Sequence, residues 1–325
     1  MLSKKTIGFL LKIGIVAFAL FFLYQQLTAK SGVEQISFDA ILLKITNNYL
    51  IIFLVVIMML LNWFLEALKW RFLIAKVEKI SFKRSVRAIF SGITVSAFTP
   101  NRVGEYGGRV FCLDKADRIQ AVLITVIGSM AQLLTTIIFG SIGLLYLPSY
   151  KSDFSLFFDN VSFAYPVLAF ILIVLNVLLV LLFLNASVIT NVLSKIYFLN
   201  RFEKYNAVFS FYSFEDLLKV FAYSVARYAV FTTQFFILLE LFEVQILYTD
   251  AIILIMIMLF VISVIPTIAI TEIGVRGSVA VFLFGLISAN TIGILSATFL
   301  LWVINLLIPS LIGVAFIFML KFFRK

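Results

Sequence analysis

Two short stretches of this sequence gather side chains that can do chemistry: SAFTPNRVGEYGGR at residues 96–109 and IPTIAITEIGVRG at residues 265–277. The first sets Arg102, Glu105 and Arg109 beside Pro100, Gly104, Gly107 and Gly108, and the second sets Glu272 and Arg276 beside Pro266, Gly274 and Gly277. Arginine carries a permanent charge on a planar fork of donors, which suits paired hydrogen bonds to a phosphate. Proline and glycine interrupt helices, and half-helix N-termini beside the arginines would add free N–H groups and a positive dipole end. The pattern points to recognition of a phosphate-bearing ligand. The glutamates would orient the arginines, meet a cationic head group or carry a coupling proton. The plainer reading makes Arg102–Glu105 and Glu272–Arg276 ion pairs that lock the chain, although the excess of arginine still leaves a net positive pocket. Placed side by side, RVGE and EIGVR hold the same residue types in reversed order.

Charges in this setting are costly, because the rest of the chain is apolar. Of 325 residues 63% are hydrophobic and 13% charged, against roughly 25% charged in soluble domains. The chain is therefore expected to be an all-α polytopic membrane protein. It has no histidine and a single cysteine, Cys112, which excludes histidine acid/base chemistry, serine–histidine triads, His or Cys metal clusters and disulfides. No catalytic residue, metal or cofactor is expected, and the net charge of +10 reads as membrane topology rather than nucleic-acid binding.

Runs of about 20 apolar residues, enough to cross a hydrocarbon core of roughly 30 Å, fall near 6–27, 50–70, 121–147, 161–185, 217–241 and 291–320. The first is longer than a signal-peptide core and reads as an uncleaved span. Stretch 86–100 is short, and 251–289 is broken at Pro266. Of the 26 Lys and Arg, 21 lie in the N-terminus, 69–118, 186–219 and the C-terminus. Cytoplasmic loops hold such excesses, so both termini are expected inside an inner membrane. The segment 86–118 must then turn back to its own side as a re-entrant hairpin. By the same logic 251–289 begins and ends outside, as a re-entrant hairpin or as two full spans. Six full spans plus two broken hairpins divide into halves 1–155 and 156–325, an inverted repeat of the kind many transporters use.

The remaining intramembrane polar residues differ in promise. Arg227, ten residues into 217–241 with Gln234 on the same helical face, joins the candidate pocket. Glu66, Lys69 and Arg71 are expected at a membrane boundary, with Trp63 and Trp70 as interfacial anchors. Gln132 and Asn305 read as packing contacts, and the basic run 76–87 as an orientation signal.

Several of these residues carry a resemblance. The WRFL end of the second span, the P-x-R-x-G-E pattern at Pro100, Arg102, Gly104 and Glu105 with Arg109 following, and the P…G-V-R pattern at Pro266, Gly274, Val275 and Arg276 resemble the lysylphosphatidylglycerol synthase transmembrane-region family. The resemblance implies a lipid flippase that moves a phospholipid between leaflets, with membrane phospholipid or another anionic or zwitterionic lipid as partner, and it leaves oligomeric state open. Members that make lysyl-lipid add a soluble transferase domain after the membrane part, so no synthase activity is expected here. Many relatives read G-L-G-V-R-E at the second motif, so the resemblance implies that Glu272 is displaced across the turn. The alternatives are a membrane-embedded transferase on a lipid-linked phosphate, which would want clustered acidic residues for a metal, and an accessory membrane subunit.

Overall fold

The computed structural model describes residues 38–97, 99, 102–146, 164–185, 207–265 and 269–319, with isolated positions between 10 and 21. Among these residues the secondary structure is helical throughout. In chain order the helices are α1 (Phe38–Asn47), α2 (Tyr49–Ile74), α3 (Phe82–Ser96), α4 (Gly104–Val110), α5 (Arg118–Tyr146), α6 (Ala164–Leu184), α7 (Phe214–Leu241), α8 (Tyr248–Val264), α9 (Ala269–Phe284), α10 (Thr291–Trp302) and α11 (Ile308–Ile317). A 3-10 turn, Ala207–Phe211, precedes α7, and a π turn, Val303–Leu307, joins α10 to α11.

Among the described residues four continuous helices are long and apolar enough to cross a membrane: Tyr49–Ile74, Arg118–Tyr146, Tyr165–Leu184 and Thr291–Ile317. They correspond to four of the six expected runs. The run 217–241 lies within α7, which has 28 residues and carries Arg227 at its middle. The run 6–27 lies outside the described residues apart from isolated positions. α6 shows why water is not the solvent: Phe170, Ile171, Ile173, Val177 and Leu178 are all more than half exposed, which only a lipid or a partner surface would tolerate.

Polar groups at the helix ends set where elements begin. Ser81 caps α3 by accepting from the Arg84 N–H at 3.3 Å. Ser213 and Asp216 form a reciprocal capping box on α7, at 3.2 and 3.1 Å, satisfying two donors the first turn leaves free. Asn290 caps α10, accepting from Gly293 N–H at 2.9 Å.

The two broken regions are each a pair of helices. α3 packs closely on α4, and α8 on α9. The first arms are held crosswise: α3 packs along α11, which follows the second pair, while α8 packs along α5, which follows the first. The site therefore lies where both pairs converge. Pro100 and Pro266, the expected helix breakers, fall outside the described residues.

The glycines differ from the sequence expectation. Gly104, Gly107 and Gly108 lie in α4, and Gly274 and Gly277 in α9, rather than in irregular turns. Gly108 instead allows close approach: a Cβ there would lie 2.7 Å from the Gly92 Cα of α3. At Gly107 a Cβ would meet nothing nearer than a Phe111 side chain at 3.8 Å. The unusual backbone falls on Arg102, whose φ of 58° lies in the left-handed region, a conformation that costs a non-glycine residue of order 1 kcal/mol or more.

Candidate functional site

The site is built outward from α2. Asn62, Glu66 and Lys69 follow one another at helical spacing, so all three project from one face of α2, and all are buried. Glu66 and Lys69 do not snorkel to a surface as expected, since this face of α2 packs against α5 and α7 and meets Arg109 of α4. Trp70 is buried too, its indole donating to Thr125 Oγ1 at 3.1 Å, and Trp63 packs inside the bundle rather than at an interface. Arg71 alone of this group is exposed.

Lys69 is 1% exposed and uses each of its three donors. It pairs with Glu66 Oε2 at 2.9 Å and donates to Gly128 O at 3.2 Å and Ser224 Oγ at 3.3 Å. Arg109 reaches in from α4, its Nη1 meeting Glu66 Oε1 at 2.8 Å while its Nη2 pairs with Glu105. Arg227 reaches in from α7. It pairs with Glu66, donates to Asn62 Oδ1 at 2.9 Å and to Gln132 Oε1 at 3.4 Å, and lies 5.3 Å over the Trp63 ring. Glu66 thus pairs with three cations drawn from three helices, leaving a net positive charge around it. Gln234, expected to share Arg227's surroundings, is buried and donates instead to Val55 O at 2.8 Å.

A second charge centre joins Arg102, just before α4, to the first turns of α9. Glu272 Oε1 accepts from Arg276 Nε at 2.9 Å and from Arg102 Nη2 at 2.5 Å. The Arg102 contact crosses between the hairpins, in place of a local pairing with Glu105. Glu105–Arg109 and Glu272–Arg276 are both four-residue pairs early in a second arm. E-Y-G-G-R in α4 and E-I-G-V-R in α9 therefore share residue types in the same order as well. Aligning E-x-G-x-R at the sequence level would have shown it.

Both centres open onto one cavity of about 620 Å³, whose lining includes Glu66, Lys69, Arg102, Glu105, Arg109, Arg227, Glu272 and Arg276. The six charged residues proposed from sequence meet there. Five cations face three carboxylates, an excess of two positive charges. Gln132, expected to be a packing residue, lines the cavity as well. Such a cavity matches an anion whose charge balances the excess, since buried charges persist when compensated.

The family model for the lysylphosphatidylglycerol synthase TM region matches residues 9–313, from before α1 into α11. No curated protein matches the chain significantly. The chain therefore belongs to the lysylphosphatidylglycerol synthase transmembrane-region family, and it is a multi-pass helical membrane protein.

Proposed function

We propose, with membership of this family as the premise, that the protein is a lipid flippase: it binds a phosphate-bearing amphipath in the cavity between the two hairpins and moves it across an inner membrane. The observation that supports this most is the convergence of five cations and three carboxylates on one cavity large enough for a lipid head group. Arg102 and Arg276 would donate paired hydrogen bonds to the phosphate, while Arg109, Arg227 and Lys69 set the positive field around it. Glu272 would hold both arginines until the phosphate competes for them.

The crosswise packing supports an inverted repeat of 1–155 and 156–325, with six spans, both termini cytoplasmic, and hairpins entering from opposite faces. In that arrangement the tips meet near the middle of the bilayer, and rocking one half against the other would expose the cavity alternately.

The test is leaflet exchange and binding of a fluorescent anionic phospholipid by the purified protein in vesicles. Arg102→Lys and Arg276→Lys keep charge but lose the planar fork, so both should impair binding and exchange. Full activity in both lysine variants would overturn the phosphate assignment.

A further inference from the structure

Three arginines line both the main cavity and a smaller chamber of about 110 Å³ beside it: Arg102, just before α4, Arg227 of α7 and Arg276 of α9. Among the described residues no carboxylate lines the chamber, in contrast to the main cavity. At roughly 30 Å³ per water the chamber has room for about three waters, so the arginines on its wall can close on one small group.

Each of the three keeps a donor in reserve. Arg102 gives Nη2 to Glu272, Arg276 gives Nε and Nη2 to the same carboxylate, and Arg227 spends Nε on Asn62 and Nη1 on Glu66 and Gln132. Among the described residues nothing accepts from Arg102 Nη1, Arg276 Nη1 or Arg227 Nη2. These nitrogens are also absent from the enclosed polar atoms that lack a partner, so they reach open space. Lys69, by contrast, has every donor taken, and the Arg109 side chain is 5% exposed.

The excess charge divides evenly between the two centres. Glu272 meets two arginines, while Glu66 and Glu105 together meet Lys69, Arg109 and Arg227, so each centre is left with one uncompensated positive charge. Arg227 brings the excess of the Glu66 centre to the same chamber as Arg102 and Arg276. A single group placed there balances both charges only if it carries two of its own. A phosphodiester carries one negative charge on two terminal oxygens. A terminal phosphomonoester has three acceptor oxygens and about 1.5 to 2 negative charges at neutral pH, its second pKa lying near 6. Part of the cavity wall is apolar, with Leu259, Ile262 and Val264 of α8 among its residues, which suits lipid chains rather than a free ion.

We infer that the ligand is a lipid phosphomonoester, its dianionic phosphate held by Arg102 and Arg276 beside the chamber and its second charge balanced by Arg227. The inference rests on the phosphate-binding reading above and narrows its substrate class.

The experiment is competition between phosphatidic acid and phosphatidylmethanol for the full-length protein, read by native mass spectrometry at pH 8 and pH 5. The two head groups differ by one methyl group and, at pH 8, by one charge. The wild type should prefer phosphatidic acid about tenfold at pH 8, the worth of one more charge near a cation in a cavity partly open to water. At pH 5 both lipids are monoanions, so the ratio should fall toward one. Glu66, Glu105, Glu272, Lys69, Tyr106 and Tyr228 also line the cavity, and their titration acts on both lipids alike, which is why the ratio is read. Arg227→Gln removes one of the two excess charges and should bring the ratio at pH 8 toward one. Arg102→Gln should do the same from the most exposed of the three positions, with an unfolding midpoint near that of the wild type showing that it folds. Equal binding at pH 8, a ratio unchanged at pH 5 or a preference that survives in both variants would overturn the monoester and leave the phosphate reading standing. Phosphatidic acid should raise the unfolding midpoint of the wild type, and an equal rise with inorganic phosphate would overturn a lipid as the ligand. Binding of neither lipid would overturn the phosphate reading itself, and the monoester with it.

Discussion

The two charge centres of the cavity differ in how they are enclosed. Around Glu66, Lys69 and Arg109 have side chains 1% and 5% exposed, and every donor of Lys69 is taken. Around Glu272, Arg276 is 18% and Arg102 38% exposed, and Arg102 sits on left-handed backbone. The first centre ties α2, α4 and α7 together, as a structural keystone would. The second links the two hairpins through one open ion pair and leaves its arginines accessible. On the proposed function, the Glu66 centre would hold the cavity's shape and its positive field, whereas the Glu272 centre would meet the ligand.

The largest test of that contrast is Glu66→Gln. It leaves Lys69, Arg109 and Arg227 without their shared counter-charge, and removing one partner of a buried pair costs about 3–5 kcal/mol. A thermal unfolding midpoint in detergent should fall steeply. Glu272→Gln should lower it much less, because its more exposed partner is relieved by solvent. Equal losses would erase the distinction between the centres.

Next in size is Gly108→Ala, which drives a methyl against the Gly92 backbone and should cost about 1–3 kcal/mol by overpacking. Gly107→Ala, one residue away with open space around it, should be neutral or slightly stabilising, since alanine is the better helix former. The same unfolding assay compares them. Similar losses would mean that Gly108 is not a point of close approach and that Arg109 does not depend on it for placement.

A smaller effect on stability, but a clear one on ligand, is expected from the second centre. Arg276→Lys should leave the fold nearly intact and weaken anionic phospholipid binding about tenfold, roughly 1.4 kcal/mol. The double change Glu272→Ala with Arg276→Ala should recover no binding. Recovery of activity along with stability would show Arg276 and Glu272 to be a structural pair alone.

The smallest effect lies outside both centres, at the base of the first hairpin. Glu78 accepts backbone N–H groups of Lys115 at 2.7 Å and Ala116 at 2.8 Å, and Arg84 Nη1 lies 3.2 Å from it. Burial raises its carboxyl pKa, but the N–H donors of Ala116, Lys115 and Asp114 outweigh burial and hold it below the usual carboxylate range. Stability from Glu78 is therefore fully present above the unfolded pKa, near 4.3, and is lost as pH falls through the lower folded value. Glu78→Gln should lower the unfolding midpoint at neutral pH by the equivalent of about 1 kcal/mol, with the gap from wild type closing below about pH 4. A gap that stays constant with pH would show that the charge of Glu78 is not what holds this base.

Much of this was readable in the chain because the membrane imposes strong patterns. Twenty apolar residues make a span whatever their order, so the helices at 50–70, 121–147, 161–185 and 291–320 could be read from composition. The cost of charge in lipid likewise marked Arg102, Glu105, Arg109, Arg227, Glu272 and Arg276, and all six line one cavity. Pairing is a different kind of information. Arg102 meets Glu272 across 170 positions, and Glu66 is surrounded by cations from α2, α4 and α7. The face of α2 that holds Asn62, Glu66 and Lys69 could be read from helical spacing, but its neighbours could not. An apolar helix in lipid has no hydrophobic preference for which helix it packs against. Small residues, hydrogen bonds and close backbone contact decide that, as Gly108 on Gly92 and the hydrogen bond from Asn305 to Gln234 do. The sequence determined that charges lie within apolar helices. Only the tertiary structure decided which of them neutralise one another and which remain open to a ligand.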